Sequence, residues 1–170
     1  MGVLITKVSQ NGHIAVQADE DADVLICNTV IALACKGKIV TVVGKDVDLM
    51  CILVACTLST SEDVNFLKSG LGTWPSHSYY SIHNIQSKYP KLQESILFAH
   101  AISGCDMASV VFSKSKIVCV KKILKKDMDD IMLESSMAAS DREKIFTATC
   151  KYFLLLYGVK RREKNVEELR

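Results

Sequence analysis

The segment Lys38 to Gly44 (KIVTVVG) is a β-branched run set between two longer apolar stretches. β-branched side chains are stiff at χ1 and pack well on a pleated surface, so the run predicts a strand. Its lack of polar alternation predicts burial on both faces. The stretch before it, DEDADVLICNTVIALAC, reads as a helix with Asp19, Glu20 and Asp21 crowding its first turn, where the helix dipole favours negative charge. Lys36-Gly37 ends that helix. Asp46-Val47-Asp48 follow the strand and lead into an apolar helix through about Leu58. A short strand is expected over 12–17 (GHIAVQ), after a turn at Asn11-Gly12. Strand, helix, strand, helix at this spacing predicts an α/β fold, with a mainly parallel sheet covered by helices on both faces.

Further along, VNFLKSG and SYYSI read as strands, a hairpin on the sheet edge interrupted by Gly70, Gly72 and Trp74-Pro75. KLQESILFAHAI reads as a helix running into the loop Ser103-Gly104-Cys105-Asp106. KIVCVKKILKK is amphipathic, with Ile117, Val120, Ile123 and Leu124 expected on one side. DREKIFTATCKYFLLLYG is a helix ending at Gly158, and Ser140 with Glu143 suggests a capping box at its start. The charged stretch 159–170 reads as a solvated helical extension. No internal repeat is visible, and 127–170 is expected to be a helical extension of the domain formed by 1–126.

Composition narrows the function classes. Hydrophobic residues make up 49% of the 170 and charged residues 24%, with only 2 Pro, which excludes a disordered tail or a low-complexity linker. Lys and Arg number 21 against 19 Asp and Glu, so any argument for nucleic acid must come from a local patch. The 7 Cys lie mostly in apolar runs and form no CxxC pair, which argues for reduced, packed thiols rather than a disulfide framework or a zinc ribbon. The longest apolar run, Leu49 to Leu58, is about half a membrane span. The expectation is a soluble intracellular protein with no membrane partner.

Acidic residues cluster at three separated places: Asp19, Asp21 and Asp23; Asp46 and Asp48; and Asp106. Each lies at a junction between elements. Ligands of open α/β sheets bind at the carboxyl ends of strands, where Asp46 and Asp48 fall. Several carboxylates converging in one pocket need a cation, and oxygen ligands suit Mg²⁺ or Mn²⁺. Two such ions together would activate water and stabilise the leaving oxygen in phosphodiester hydrolysis. The competing reading is structural: acidic residues at helix starts complement the dipole, and Asp in a strand-to-helix turn is commonly a cap.

Three blocks, GHIAVQADEDADVLI, VTVVGKDVDLM and HAISGCDMASVVFSKSK, resemble in this order the acidic blocks of PIN-like nucleases of the flap-endonuclease type. Within that family the chain is most similar to mobile-element-associated animal proteins. The resemblance covers residues 10 to 126, and FLLLYG resembles the same group. It implies a PIN-like fold and metal-dependent, structure-specific cleavage of nucleic acid. Catalytic and metal-binding roles would fall to Asp19, Asp21, Asp46, Asp48 and Asp106 around a two-metal Mg²⁺ or Mn²⁺ site. Asp23 is matched less directly and lies one helical turn beyond Asp19.

Two departures qualify the carry-over. The family also draws metal ligands from an N-terminal strand ending in Asp, and nothing before Asp19 here is acidic, so the expected domain lacks its first strand and holds metal weakly. The family's Gly-rich phosphate loop reads Phe112-Ser113-Lys114-Ser115-Lys116, and glycines are what let backbone approach a phosphate closely. The alternative is a catalytically inactive nucleic-acid-binding or interaction module derived from such a nuclease.

Between Phe112 and Lys126 stand six lysines and no acidic residue. Lys114, Lys116, Lys121 and Lys122 are the candidate phosphate contacts, with DNA favoured over RNA as partner and nuclear over cytoplasmic residence. The competing reading is the solvated face of an amphipathic helix. His77, His83 and His100 lack metal-ligand spacing, and Cys105 lacks the flanks of a nucleophile elbow. Trp74, Tyr79 and Tyr80 are more readily core or edge-strand residues than base-stacking platforms.

Overall fold

The computed structural model describes residues 2–70, 77–104, 115–124 and 141–158. The chain divides into two compact units, Met1–Ser81 and Ile82–Arg170. Its class is α/β: among the described residues, seven helices accompany one small three-stranded mixed sheet.

The first unit begins with α1 (Gly2–Gln10), which buries no side chain fully. Asn11-Gly12 is the turn that ends this helix: Gly12 takes φ 78° and its N–H donates to the Ser9 carbonyl at 3.0 Å. The strand expected over 12–17 does not form. Its alternation is real, but no neighbouring strand takes up its backbone groups among the described residues, and Ile14 stands 93% exposed. Period-2 patterning makes a strand only where a partner ladder exists.

Next comes α2 (Ala22–Ala34), which buries the stripe Cys27, Val30 and Ala34 and packs against α3 and β1. Gly37, at φ 75°, reverses the chain into β1 (Val40–Gly44). Then follow α3 (Val47–Cys56), β2 (Val64–Lys68) and β3 (Ser78–Ser81).

The sheet order is β1-β2-β3. β1 and β2 pair in parallel with Val42 beside Phe66, and β2 and β3 pair antiparallel with Phe66 beside Tyr80. The expected edge hairpin is thus present. Two expectations need correction. Instead of a mainly parallel sheet, one parallel and one antiparallel pairing make it mixed. The buried central strand is β2, not β1: Val64, Asn65 and Phe66 are all buried, whereas β1 buries Val42 and leaves Val43 67% exposed. β-branched residues favour any pleated surface, so the run in β1 marked a strand without marking its place in the sheet.

Gly44 sits where the Phe66 ring leaves little room. A β-carbon there would lie 3.3 Å from two ring atoms of Phe66 and 3.7 Å from Leu49 Cδ2. Gly44→Ala is expected to cost about 1 kcal/mol, at the low end for overpacking because the ring can shift slightly. Urea unfolding would show it as a lower midpoint with an unchanged slope.

The second unit is helical: α4 (Ile82–Lys88), α5 (Pro90–Ser103), α6 (Lys116–Ile123) and α7 (Arg142–Leu156). Pro90 opens α5, where its missing N–H costs nothing. The core joins Ala99 of α5, Cys119 and Ile123 of α6, and Ala148, Tyr152 and Leu156 of α7. The buried stripe of α6 therefore runs through Cys119, and Ile117 is 66% exposed, contrary to the expected apolar side. Asp141 caps α7 by accepting the N–H groups of Glu143 (3.1 Å) and Lys144 (3.3 Å). Ser140, expected in that role, lies outside the described residues. Gly158, at φ 84°, follows the last turn of α7 as anticipated. Among the described residues no helix is long and apolar enough to cross a membrane.

Candidate functional site

Two acidic blocks of the first unit occupy the starts of α2 and α3, and the same local rule builds both. Each reads Asp-x-Asp, with the first carboxylate outside the helix as its cap and the second in the first turn. Asp21 Oδ1 accepts the N–H of Asp23 at 2.8 Å and of Val24 at 3.4 Å. Asp46 accepts the N–H of Asp48 at 2.9 Å. Both satisfy backbone donors that a helix start leaves without partners. Asp46 follows the carboxyl end of β1 by two residues, the edge at which sheets of this class take ligands.

The two starts come together around Asp23. Half-buried on α2, it is held above the ordinary carboxylate range by burial first, then by the negative charges of Asp46, Asp21 and Asp48. Residues more than twenty positions apart in sequence thus share one electrostatic neighbourhood. Of the five aspartates singled out by sequence, Asp21, Asp46 and Asp48 belong to it. Asp19 is exposed in the bend before the cap and is not among the charges acting on Asp23. Asp106 lies outside the described residues. Asp23, weighted least by resemblance, is the residue on which the others converge. The signal that finds it is the repeated Asp-x-Asp at Asp21 and Asp46.

This is an all-oxygen, negatively charged donor set, the chemistry that Mg²⁺ and Mn²⁺ accept. Its spacing is more open than a coordination shell. Asp21 and Asp46 each use an oxygen for a cap, and among the described residues no three His, Cys, Asp or Glu side chains are grouped to hold a metal ion.

The electrostatics give a pH prediction. The folded-state pKa of Asp23 lies above its unfolded value of about 3.9, so ionised Asp23 weakens the folded state at neutral pH. The penalty lifts as pH falls through the folded value and is absent below the unfolded one. Asp23→Asn is therefore expected to raise the melting midpoint at pH 7, with the gain shrinking towards about pH 4. A lower midpoint at pH 7 would mean that attraction between Asp23 and the α2 dipole outweighs the repulsion.

The candidate phosphate contacts belong to the second unit. Lys116 opens α6, whereas Lys121 and Lys122 fall in its last turn, where cations complement the carbonyl end of the helix. Lys114 lies outside the described residues. Tyr79 and Tyr80 are exposed on β3 rather than packed in a core. His83 lies on α4 and His100 on α5, both half-buried, and His77 is exposed just ahead of β3. Trp74 and Cys105 lie outside the described residues. No family model, curated protein or solved structure matches this chain.

Proposed function

We propose that this chain is a nuclease-related module of PIN-like descent, acting on nucleic-acid phosphodiesters with a divalent cation at the acidic rim of its first unit. What supports this reading is that the negative charges of Asp46 and Asp48, from a separate acidic block, act on Asp23. Like charges gathered at one rim repel, and a hard dication relieves that repulsion. Asp21, Asp23, Asp46 and Asp48 would hold the ion, and the resemblance also implies metal-binding roles for Asp19 and Asp106. A bound Mg²⁺ or Mn²⁺ would supply a nucleophilic water and charge stabilisation on the phosphoryl oxygens. The chain's own contribution is the fixed approach of two helix starts. Lys114, Lys116, Lys121 and Lys122 would retain the polyanion, with binding that weakens steeply as salt rises.

The second reading is a binding module without turnover. It is favoured by one observation: Asp21 and Asp46 are engaged as helix caps, and no three-ligand group forms among the described residues. One experiment separates the two. Flapped and single-stranded DNA and RNA are incubated with Mg²⁺ or Mn²⁺, with Asp46→Ala in parallel, and binding is followed at two salt concentrations. Metal-dependent product that Asp46→Ala abolishes supports the nuclease. A salt-sensitive shift without product supports the binder, and neither product nor shift removes both readings.

A further inference from the structure

The register of the sheet builds an exposed row across all three strands. Val43 of β1 lies beside Leu67 of β2, and Leu67 beside Tyr79 of β3. Directly opposed residues project on one face, and neighbours along a strand project on opposite faces. The face carrying Val42, Phe66 and Tyr80 is the one under α3, since Leu49 of α3 and the Phe66 ring crowd the same side of Gly44. The other face is closed over Asn65, which is buried, and opens towards the carboxyl ends of β1 and β2. There Val43 is 67% and Tyr79 61% exposed, with half-buried Leu67 between them.

An exposed aromatic ring in line with aliphatic side chains on a pleated face is a surface that a nucleic-acid base can cover, because every base has a π-face. The charge around the row suits the same occupant. Lys45 follows β1, Lys68 ends β2 and His77 precedes β3, all at this end of the sheet. Lysines there can meet the phosphates on either side of a stacked base. Asp46 and Asp48 stand just beyond Lys45, so the row itself holds bases rather than phosphates. A double helix keeps its base faces stacked inside, which leaves an unpaired strand as the occupant.

We infer that Val43, Leu67 and Tyr79 form a stacking platform for single-stranded nucleic acid, with a base lying against the Tyr79 ring. This rests on the nucleic-acid reading proposed above and narrows its substrate to an unpaired strand. β1 and β3 are two strand spacings apart, about 10 Å, which about three nucleotides span at about 3.4 Å each. A strand stacked on Tyr79 and crossing the sheet therefore reaches the start of α3, where Asp46 and Asp48 stand. Tyr79 is a substrate-binding residue that sets which phosphodiester lies at the acidic rim.

The test uses the full chain with labelled oligothymidylate and oligouridylate of about 12 nucleotides, a length that one single-strand groove covers. Binding is followed by anisotropy at two salt concentrations, with Ca²⁺ in place of Mg²⁺, and the two oligonucleotides tell DNA from RNA. Tyr79→Ala, at an exposed position, is expected to keep the melting midpoint and to weaken binding roughly tenfold, by the same factor at both salt concentrations. Tyr79→Phe, which keeps the ring, should restore binding, and Tyr89→Ala should leave it unchanged. Photocrosslinks from an iodouracil-substituted strand should map to the peptide that carries Tyr79. Strand binding that Tyr79→Ala leaves intact, with crosslinks on α6 instead, overturns the platform while the nucleic-acid reading stands. A Tyr79→Ala loss that fades at the higher salt concentration marks a phosphate contact and overturns stacking. No strand binding by any form overturns both, and self-association that Tyr79→Ala abolishes would then make the face a contact between copies.

Discussion

Replacing Phe66 by Ala is expected to destabilise the first unit by about 3–5 kcal/mol, the range for removing a fully buried aromatic ring. Phe66 is 0% exposed on the central strand β2, flanked by Val42 of β1 and Tyr80 of β3. Its ring also fills the space over Gly44 that a side chain would otherwise occupy. Domains of ordinary size are stable by only about 5–15 kcal/mol, so the loss is a large share of the total. Urea titration followed by circular dichroism would register it as a fall in midpoint. A loss under about 1 kcal/mol would mean that Phe66 does not organise the sheet core.

A contrast at Tyr152 tests the second unit. Tyr152 is 0% exposed at the centre of the α5–α6–α7 core, edge-on to Phe98 at 5.7 Å and to Phe153 at 5.8 Å between ring centroids. Its hydroxyl is buried beside the weakly polar Cys119 thiol and has no strong hydrogen-bond partner among the described residues. Tyr152→Ala is expected to cost about 3–5 kcal/mol, since both the ring contacts and the fill are lost. Tyr152→Phe keeps the ring and removes a buried polar group without a strong partner. Its effect should lie within about 0.5 kcal/mol of zero or be slightly stabilising. The pair of variants separates packing from hydrogen bonding: equal losses in both would show that the hydroxyl, not the ring, holds the helices.

Much of the first unit was legible because its local signals agree. The apolar run and Gly37 mark α2, although its first turn begins at Ala22, after the acidic residues Asp19, Glu20 and Asp21 expected within it, and α3 begins at Val47, two residues ahead of the apolar run that the pattern makes its start. The failures have physical causes. α1 carries little signal in the sequence, because GVLI is too short to show helical periodicity and nothing acidic marks its start. The segment 12–17 departs from its strand pattern because alternation reports a possible face, not the neighbour that would use it. β1 carries the pattern of an interior strand while lying at the edge of the sheet, because Val and Thr suit edge and centre alike. At the acidic rim, sequence supplied the blocks but not their phase. Which carboxylates meet depends on where each helix begins, and the cap at Asp21 sets that beginning, placing Asp23 rather than Asp19 beside α3.

Under the proposed function, the capping role of Asp21 and Asp46 would link ion uptake to the order of the chain around them. An ion that draws either carboxylate off its backbone N–H groups leaves a helix start bare, at about 1 kcal/mol for each cap released. Releasing both would weaken apparent affinity by more than tenfold, since about 1.4 kcal/mol is one decade. Saturation with Mg²⁺ should therefore quicken amide exchange at Asp23, Val24 and Asp48, loosening the chain locally while it tightens around the ion.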